Sequence, residues 1–489
     1  MKNKFYSLLP FLTLLTLFLL LRLPKLGLDM THSDSPRWHI RSHNFLQAVR
    51  TGDFAKTYQH NQPGITLMWL GSIHEFHFHK DIINLSEPFS NYQTYLKVDS
   101  GSKVFLVFVL LVVFVSQLVI ITRLYGRTAS ILYALLASTE PFLIGVDRIF
   151  HVTSLENYLL FLTFLLLSFF TKEKKLSVLL FASLTFALSL LTKSSGLVLL
   201  PLFAFMFFRS DVKSKLKAGL TFLAVTFILY YVFFPALWTN PAQYLTKIFS
   251  GIENAVYKDT RSMLYNNFLS LLYYPVLFAF KSSPQVLIVS CLALYQIWQK
   301  KLLKERLNLL IYILLFYVSF SLSVKKIDRY LISLLLPLYL VVALYLEKIP
   351  FKAQRVYVLL TLLISLIISY LYFPVFSSYY APYFGGIKMA TKLNVYSNSG
   401  QYYQHAATYL NNKENLNGVL VPFNKESFHY TFKSKDKLQD RVDKNTDYIV
   451  TSANKLVDGS LIPDRCKTIE QSFGSRVEKE IFVFKCVSN

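Results

Sequence analysis

The sequence predicts a mainly α-helical, polytopic membrane protein that ends in a small α/β domain. Of its 489 residues, 53% are hydrophobic, and the mean hydropathy is +0.40. Many apolar runs approach the ~20 residues that a helix needs to cross about 30 Å of hydrocarbon. After residue 373 the apolar runs stop and polar sequence takes over. These three observations define the fold class.

Apolar runs with charged flanks mark the candidate membrane spans. There are eleven, at approximately residues 5–22, 103–122, 128–146, 155–171, 176–192, 196–208, 218–236, 284–299, 308–324, 330–347 and 356–373. The first run resembles a signal peptide, but it is longer than a usual h-region and no A-x-A cleavage site follows it. We therefore expect it to remain as the first span.

The basic residues predict the orientation. The chain has 51 Lys and Arg against 28 Asp and Glu, a net charge of +23. These cations concentrate in alternate loops, as the positive-inside rule requires, which explains the charge without nucleic acid binding. The rule predicts a cytoplasmic N-terminus, external loops at 24–102 and 237–283, and an extracytoplasmic C-terminus.

The composition change predicts two domains, a transmembrane domain over 1–373 and an extracytoplasmic domain over 374–489. The second has a helical pattern at Tyr402–Leu410. Candidate strands lie at Val419–Pro422, Phe428–Phe432, Tyr448–Thr451 and Ile481–Lys485. Cys466 and Cys486 can pair if this domain faces an oxidising compartment, and the sequence leaves that pairing open.

The external loops contain helical patterns of their own. Ser35–Thr51 has helical spacing and stops before Gly52, so Asp34 could serve as its N-cap. Ile65–Ile73 is apolar but too short to span, and residues 77–102 are polar enough for a loop. In the second loop, Tyr244–Val256 is amphipathic and predicts a helix lying in the membrane interface.

Charged side chains next to apolar spans are costly, at roughly 2.5–3.5 kcal/mol each on insertion scales, so they usually line a polar cavity or pair. In the predicted topology they fall at external span ends: Asp34, Arg37 and Arg41; Glu140, Asp147, Arg148, His151 and Glu156; Lys193; Lys325, Lys326, Asp328 and Arg329. Cations suit a phosphate, and a carboxylate suits deprotonation of a hydroxyl. Together with a lipid-soluble surround, they suggest sugar transfer from a polyprenyl phosphate.

Several short motifs occur in a characteristic order along the chain. They are His32-Ser-Asp34, Gln62-Pro-Gly64, Asp147-Arg148-Ile-Phe-His151, Leu191-Thr-Lys193, Phe234-Pro-Ala-Leu-Trp238 and Lys325-Lys-Ile-Asp-Arg329-Tyr330. In this order the sequence resembles the GT-C class glycosyltransferases of the protein O-mannosyltransferase and aminoarabinose transferase superfamily. The large insertion of the eukaryotic O-mannosyltransferases is missing, so the resemblance is to a prokaryotic member.

The resemblance implies an inverting transfer of a sugar from a polyprenyl-phosphate donor to a hydroxyl on the extracytoplasmic face. Asp34 would be the general base, and Lys193, Arg329 and Arg148 would hold the donor phosphate. Relatives often carry a second Asp where this chain has Thr153, so Asp147 or Glu156 would replace it. The resemblance implies no metal and no cofactor, and the sequence has no strong metal-ligand spacing.

The same residues also allow other interpretations of their roles and of the protein's function. Lys193 could extend to the membrane interface, and Arg329 could be a topology anchor paired with Asp328. The chain could be a flippase or transporter of lipid-linked glycans, or a non-catalytic cell-envelope assembly protein. If it is a transferase, the acceptor can be protein, lipid or glycan.

Overall fold

The computed structural model describes residues 2–257, 267–299, 303–453 and 462–487. Helices dominate. The first part of the chain contains α1 (Lys2–Arg22), α2 (Ser35–Thr51), α3 (Ile65–Phe78), α4 (Tyr92–Tyr125), α5 (Arg127–Thr139), α6 (Pro141–Asp147), α7 (Val152–Glu173), α8 (Leu176–Thr192), α9 (Leu200–Arg209), α10 (Lys215–Phe233), α11 (Ala236–Thr239) and α12 (Pro241–Tyr257). The later part contains α13 (Tyr273–Lys281), α14 (Pro284–Trp298), α15 (Leu303–Leu322), α16 (Ile332–Leu346), α17 (Phe351–Tyr372), α18 (Gly386–Lys392), α19 (Tyr403–Leu410) and α20 (Lys425–His429).

A helix occurs at each predicted span. Among the described residues, five helices are long and apolar enough to cross a membrane, or six when α5 and α6 count as one broken span. Six shorter apolar helices accompany them. The predicted class, a mainly α-helical polytopic membrane protein, is therefore confirmed.

The predicted span 128–146 is not one straight helix. It breaks at Glu140 into α5 and α6, which are bent by 68°. Pro141 explains the break, because a proline disfavours helical backbone in the residue before it. Glu140 accordingly has extended backbone (φ −69°, ψ 123°).

Two segments predicted as loop are helical. Within 77–102, α4 already begins at Tyr92, where the side chain of Asn91 accepts a hydrogen bond from the Gln93 amide (2.8 Å). Within 237–283, residues Leu269–Lys281 form a short apolar helix that includes α13. Both were missed because each is too short or too polar to give a clear membrane-length run.

The C-terminal part contains a mixed five-stranded sheet in the order β2-β1-β3-β5-β4. Its strands are β1 (Val419–Leu420), β2 (Leu438–Gln439), β3 (Tyr448–Ser452), β4 (Thr468–Gly474) and β5 (Lys479–Lys485). The predicted strand at 428–432 is wrong, because Lys425–His429 is helix α20. Cys466 and Cys486 form a disulfide that ties the segment before β4 to the end of β5.

The C-terminal part packs against the segment that follows α1. Met30 and Ile149 share a buried apolar cluster with Tyr402, Tyr403 and other residues of the C-terminal part. The Gln404 amide donates to the Gly27 carbonyl (2.8 Å), and the Ser33 amide donates to the Ser399 carbonyl (2.9 Å). These contacts hold the backbone just before Asp34.

Candidate active site

Asp34 lies directly before α2, at the position of its N-cap, but its side chain makes no capping hydrogen bond. Pro36 starts the helix, and Gly52 ends it in the left-handed conformation (φ 73°). The carboxylate instead turns toward residues from distant parts of the chain. A role as helix N-cap therefore does not explain the presence of an aspartate at this position.

Arg329 binds the carboxylate. Its Nη2 lies 3.1 Å from Asp34 Oδ2, and its Nη1 lies 2.7 Å from His32 Nε2. Arginine can only donate, so His32 Nε2 is the acceptor. The contact of Arg329 with Asp328 is limited to the backbone amide, which donates to Asp328 Oδ1 (2.7 Å). The guanidinium is therefore directed at Asp34 and not at its sequence neighbour.

His151 approaches the same carboxylate from α7. Its Nε2 is 3.7 Å from Asp34 Oδ2. Its Nδ1 accepts from the Thr153 amide (3.2 Å), which leaves the ring proton on Nε2, facing Asp34. Thr153, at the position where relatives often have a second acid, thus fixes the orientation of this histidine.

Lys193 completes the group from the end of α8. Its ammonium is 3.5 Å from Glu156 Oε2 and lies 4.4 Å from the centre of the Tyr330 ring. Ser195 donates a hydrogen bond to the other oxygen of Glu156. Only 9% of the Lys193 side chain is exposed, so it is held inside the protein and does not extend freely to an interface.

A polar cavity of about 210 Å³ joins these residues. It is lined by Asp34, Arg37, Trp38, Arg41, His60, Gln62, His151, Thr153, Lys193, Lys325, Ile327, Arg329 and Tyr330. Of the predicted site residues, Asp34, Lys193 and Arg329 therefore meet in one cavity, and Glu156 lies behind Lys193.

Gly64 shapes the wall of this cavity. It has positive φ (63°), and its amide donates to the Thr192 carbonyl (3.1 Å), next to Lys193. A Cβ at this position would lie 2.1 Å from the Trp38 ring. The motif Gln62-Pro-Gly64 therefore lets the backbone pass directly against Trp38, which any larger residue would prevent.

The charged residues of the cavity determine the protonation states of Asp34 and His32. Burial raises the pKa of the Asp34 carboxyl, but the neighbouring His32, Arg329 and His151 outweigh burial and leave the pKa well below its ordinary value. Burial and Arg329 lower the pKa of His32 to about 3, so that imidazole is neutral at neutral pH. Arg329 is then the cation that keeps Asp34 ionised.

The structure does not bring Arg148 or Asp147 to the cavity. Arg148 is buried, binds Asp29 (3.1 Å), and donates to the carbonyls of Arg22 (2.8 Å) and Pro24 (2.9 Å). Asp147 pairs with Arg22 (2.8 Å). Both hold the end of α1 against α6, and neither lines the cavity of Asp34, Lys193 and Arg329 where the resemblance had led us to expect them.

Sequence reasoning missed the charges that continue this buried network. Lys103 lies 2.7 Å from Asp99 and 3.4 Å from Asp29, and His39 lies 2.9 Å from Asp99. The spacing of Asp99 and Lys103, four residues apart on one helix, was the available signal. It lay in a stretch interpreted as loop, where helical spacing carries no information.

An apolar cavity of about 370 Å³ is lined mainly by α8, α10 and α12, with Ser194, Leu197, Phe227 and Ile248 among its residues. Lys193 lines the polar cavity, and its chain neighbour Ser194 lines the apolar one. Consecutive residues of the chain therefore contribute to a polar and an apolar cavity.

Comparisons with known proteins agree with this architecture. Residues 91–238 match the model of the dolichyl-phosphate-mannose-protein mannosyltransferase family. No curated protein sequence matches the chain.

Three solved structures illustrate the similarity of fold. ArnT from Cupriavidus metallidurans bound to undecaprenyl phosphate aligns with a TM-score of 0.51 at 10% identity, covering 98% of each chain. ArnT in the apo state gives 0.49 at 12% identity over 99% of this chain and 98% of that one. AglB from Archaeoglobus fulgidus gives 0.49 at 11% identity over 92% of this chain and 70% of that one. The fold assignment rests on the first, and the chain accordingly has the fold of the GT-C class membrane glycosyltransferases.

Proposed function

We propose that this protein is an inverting glycosyltransferase that moves a sugar from a polyprenyl-phosphate donor to a hydroxyl acceptor. The carrying observation is the single cavity lined by Asp34, Lys193 and Arg329, accompanied by an apolar cavity whose lining includes Ser194, the residue after Lys193. A carboxylate, two cations and an apolar tail site are the parts that this reaction needs.

The donor would extend from the polar cavity to the apolar one. Its phosphate would sit between Lys193 and Arg329, and the first part of its lipid would follow the apolar lining toward Leu197 and Phe227. ArnT, which has this fold, was solved with undecaprenyl phosphate bound, which supports a lipid phosphate as the ligand.

Asp34 would take the proton of the acceptor hydroxyl while its oxygen attacks the anomeric carbon. The bond between that carbon and the phosphate oxygen breaks, and the lipid phosphate leaves. Arg329 binds Asp34 in the structure, and this pairing weakens the carboxylate as a base. Donor phosphate would draw Arg329 away and make Asp34 more basic only when the donor is present.

The same cavity would face the extracytoplasmic side. The alternation of basic loops supports a cytoplasmic N-terminus. The disulfide between Cys466 and Cys486 supports an oxidising environment for the C-terminal domain, 374–489. A C-terminal tag reachable only from inside the cell would contradict this orientation.

The direct test is transfer by purified protein in detergent, using radiolabelled polyprenyl-phosphate sugars, hexosyl and mannosyl donors first, with peptide, lipid and glycan acceptors. We expect one acceptor class to gain label with release of the lipid phosphate. Lys193→Gln should weaken donor binding, whereas Lys172→Gln, on a lysine outside the cavity, should not. Wild-type protein that binds no polyprenyl phosphate would overturn the proposal.

A further inference from the structure

The cavity holds more positive charge than a donor phosphate accounts for. Its lining includes five Lys and Arg side chains but only one carboxylate, Asp34, among the described residues. Lys193 pairs with Glu156, Arg329 pairs with Asp34, and Arg37 pairs with Glu426 of α20. Arg41 differs from these three.

Arg41 has no ion-pair partner in the part of the chain that the structure describes. Its guanidinium stacks over the Trp38 ring, 4.6 Å from the ring centre. The side chain is half-buried, and burial lowers its pKa to about 10, so it remains a cation at neutral pH. A half-buried cation that lines a cavity and forms no ion pair with the nearby Asp34 is well placed to bind an anion.

His60 adds a second donor at this end of the cavity. Its Nδ1 accepts a hydrogen bond from the Gln62 amide (3.0 Å), so the ring proton of the neutral imidazole is on Nε2. Burial and Arg41 lower the pKa of His60 to about 4, which keeps it neutral at neutral pH. Its ring packs edge-on against Trp38 (6.1 Å between centres).

Trp38 contacts residues on both sides of it in the cavity lining. The indole is buried and contacts His151 on the Asp34 side (6.1 Å between centres) as well as Arg41 and His60. Lys193, by contrast, precedes Ser194, which lines the apolar cavity that would take the lipid. A donor phosphate paired with Lys193 and Arg329 would leave Arg41 without an ion pair.

We propose that Arg41 and His60 form a second anion subsite in this cavity, which binds a carboxylate or phosphate carried by the transferred sugar or by the acceptor. Its role in transfer rests on the function proposed above, but the binding itself does not.

Binding is tested on the purified full-length protein, saturated with undecaprenyl phosphate and titrated with inorganic phosphate by calorimetry. We expect phosphate still to bind, and its Kd to rise about 10-fold or more in Arg41→Gln, since charge-assisted hydrogen bonds are lost. Arg41→Lys should retain much of the binding. Arg50→Gln, at the exposed end of the same helix, is the matched control and should not change it.

Two outcomes would overturn the subsite. In the first, undecaprenyl phosphate abolishes phosphate binding, so the cavity has one anion site. In the second, Arg41→Gln and His60→Gln, each with wild-type thermal stability, bind phosphate as wild type does. Neither outcome concerns transfer, so failure here is distinguishable from failure of the glycosyltransferase proposal.

The source of the anion is tested by transfer with four pairs of substrates. Donors carry a neutral hexose or a uronic acid, and acceptors are neutral or phosphorylated. The pair in which Arg41→Gln raises KM by about 10-fold or more, relative to the neutral pair, identifies the partner that carries the charge. An equal effect on all pairs, including the neutral one, would contradict a subsite for an anionic group.

Discussion

Two groups of charged residues lie close together in this protein and have different properties. The buried network around Asp29, Asp99, Lys103 and Arg148 has side chains that are at most 2% exposed, and each is paired within 3.5 Å. In the cavity, the Asp34 side chain is 31% exposed and cations outnumber carboxylates. The charges of the network are paired within the protein, whereas the cavity has an excess of cations with which an anionic ligand can pair.

Charged residues that stabilise the fold therefore differ in burial and pairing from those that act in binding or reaction. Removing one partner from a buried, complete pair leaves an uncompensated charge and is strongly destabilising. Removing a partly exposed charge in a cavity costs little stability and acts on binding or reaction.

The largest effect is expected at Asp34. Asp34→Asn removes the proposed base and should lower kcat for transfer by about 10³-fold, within the range for general base catalysis. Thermal stability in detergent should stay within about 2 °C of wild type, because the residue is partly exposed. Asp99→Asn, in the buried network, is the matched comparison and should have a lower thermal stability than Asp34→Asn. A stable Asp34→Asn protein with normal transfer would remove Asp34 from the mechanism.

Arg148→Gln should show the opposite pattern. The substitution leaves Asp29 with Lys103 as its one ionic partner among the described residues, and it removes hydrogen-bond donors from the Arg22 and Pro24 carbonyls. The free energy of unfolding should therefore fall by about 3–5 kcal/mol. Chemical denaturation in detergent measures this, with the exposed Arg123→Gln as control. If Arg148→Gln is stable but has a raised KM for donor, Arg148 acts on the donor after all.

Arg329→Gln should move the pH dependence of transfer. In the free wild-type enzyme the pKa of Asp34 lies well below its ordinary value, so kcat/KM should not fall through Asp34 protonation between pH 8 and about 5. Without Arg329, burial raises the pKa of Asp34 in the free enzyme, and the acidic limb of kcat/KM should shift upward into this window. We also expect kcat/KM to fall about 100-fold through the loss of phosphate binding. An unmoved acidic limb would show that another group controls it.

The smallest effect tests how the C-terminal domain holds the segment before Asp34. Gln404→Leu removes the hydrogen bonds to Gly27 and Thr31 and should cost about 1–3 kcal/mol in stability. Thr408→Ala, one turn further along α19, bonds only within its helix and should be close to neutral. If both variants behave alike, this contact does not hold the segment.

Much of the fold was predictable because hydrophobic length is a local property. Every predicted span has a helix, and α2 begins and ends where its spacing and Gly52 indicated. The misses have local causes as well. Pro141 breaks a predominantly apolar run. The predicted strand at 428–432 fails because Lys425–His429 is a helix that packs on α19, a contact that a five-residue pattern cannot reveal.

The membrane class and the charged residues near span ends can be predicted from residue order, because both follow from the cost of placing polar groups in hydrocarbon. Which of these charges meet depends on how distant segments pack. Arg148 and Arg329 have the same chemistry and comparable positions, yet one is enclosed by Asp29 and backbone carbonyls while the other reaches Asp34. Electrostatic interactions act over a few ångströms in space, and separation along the chain does not report that distance.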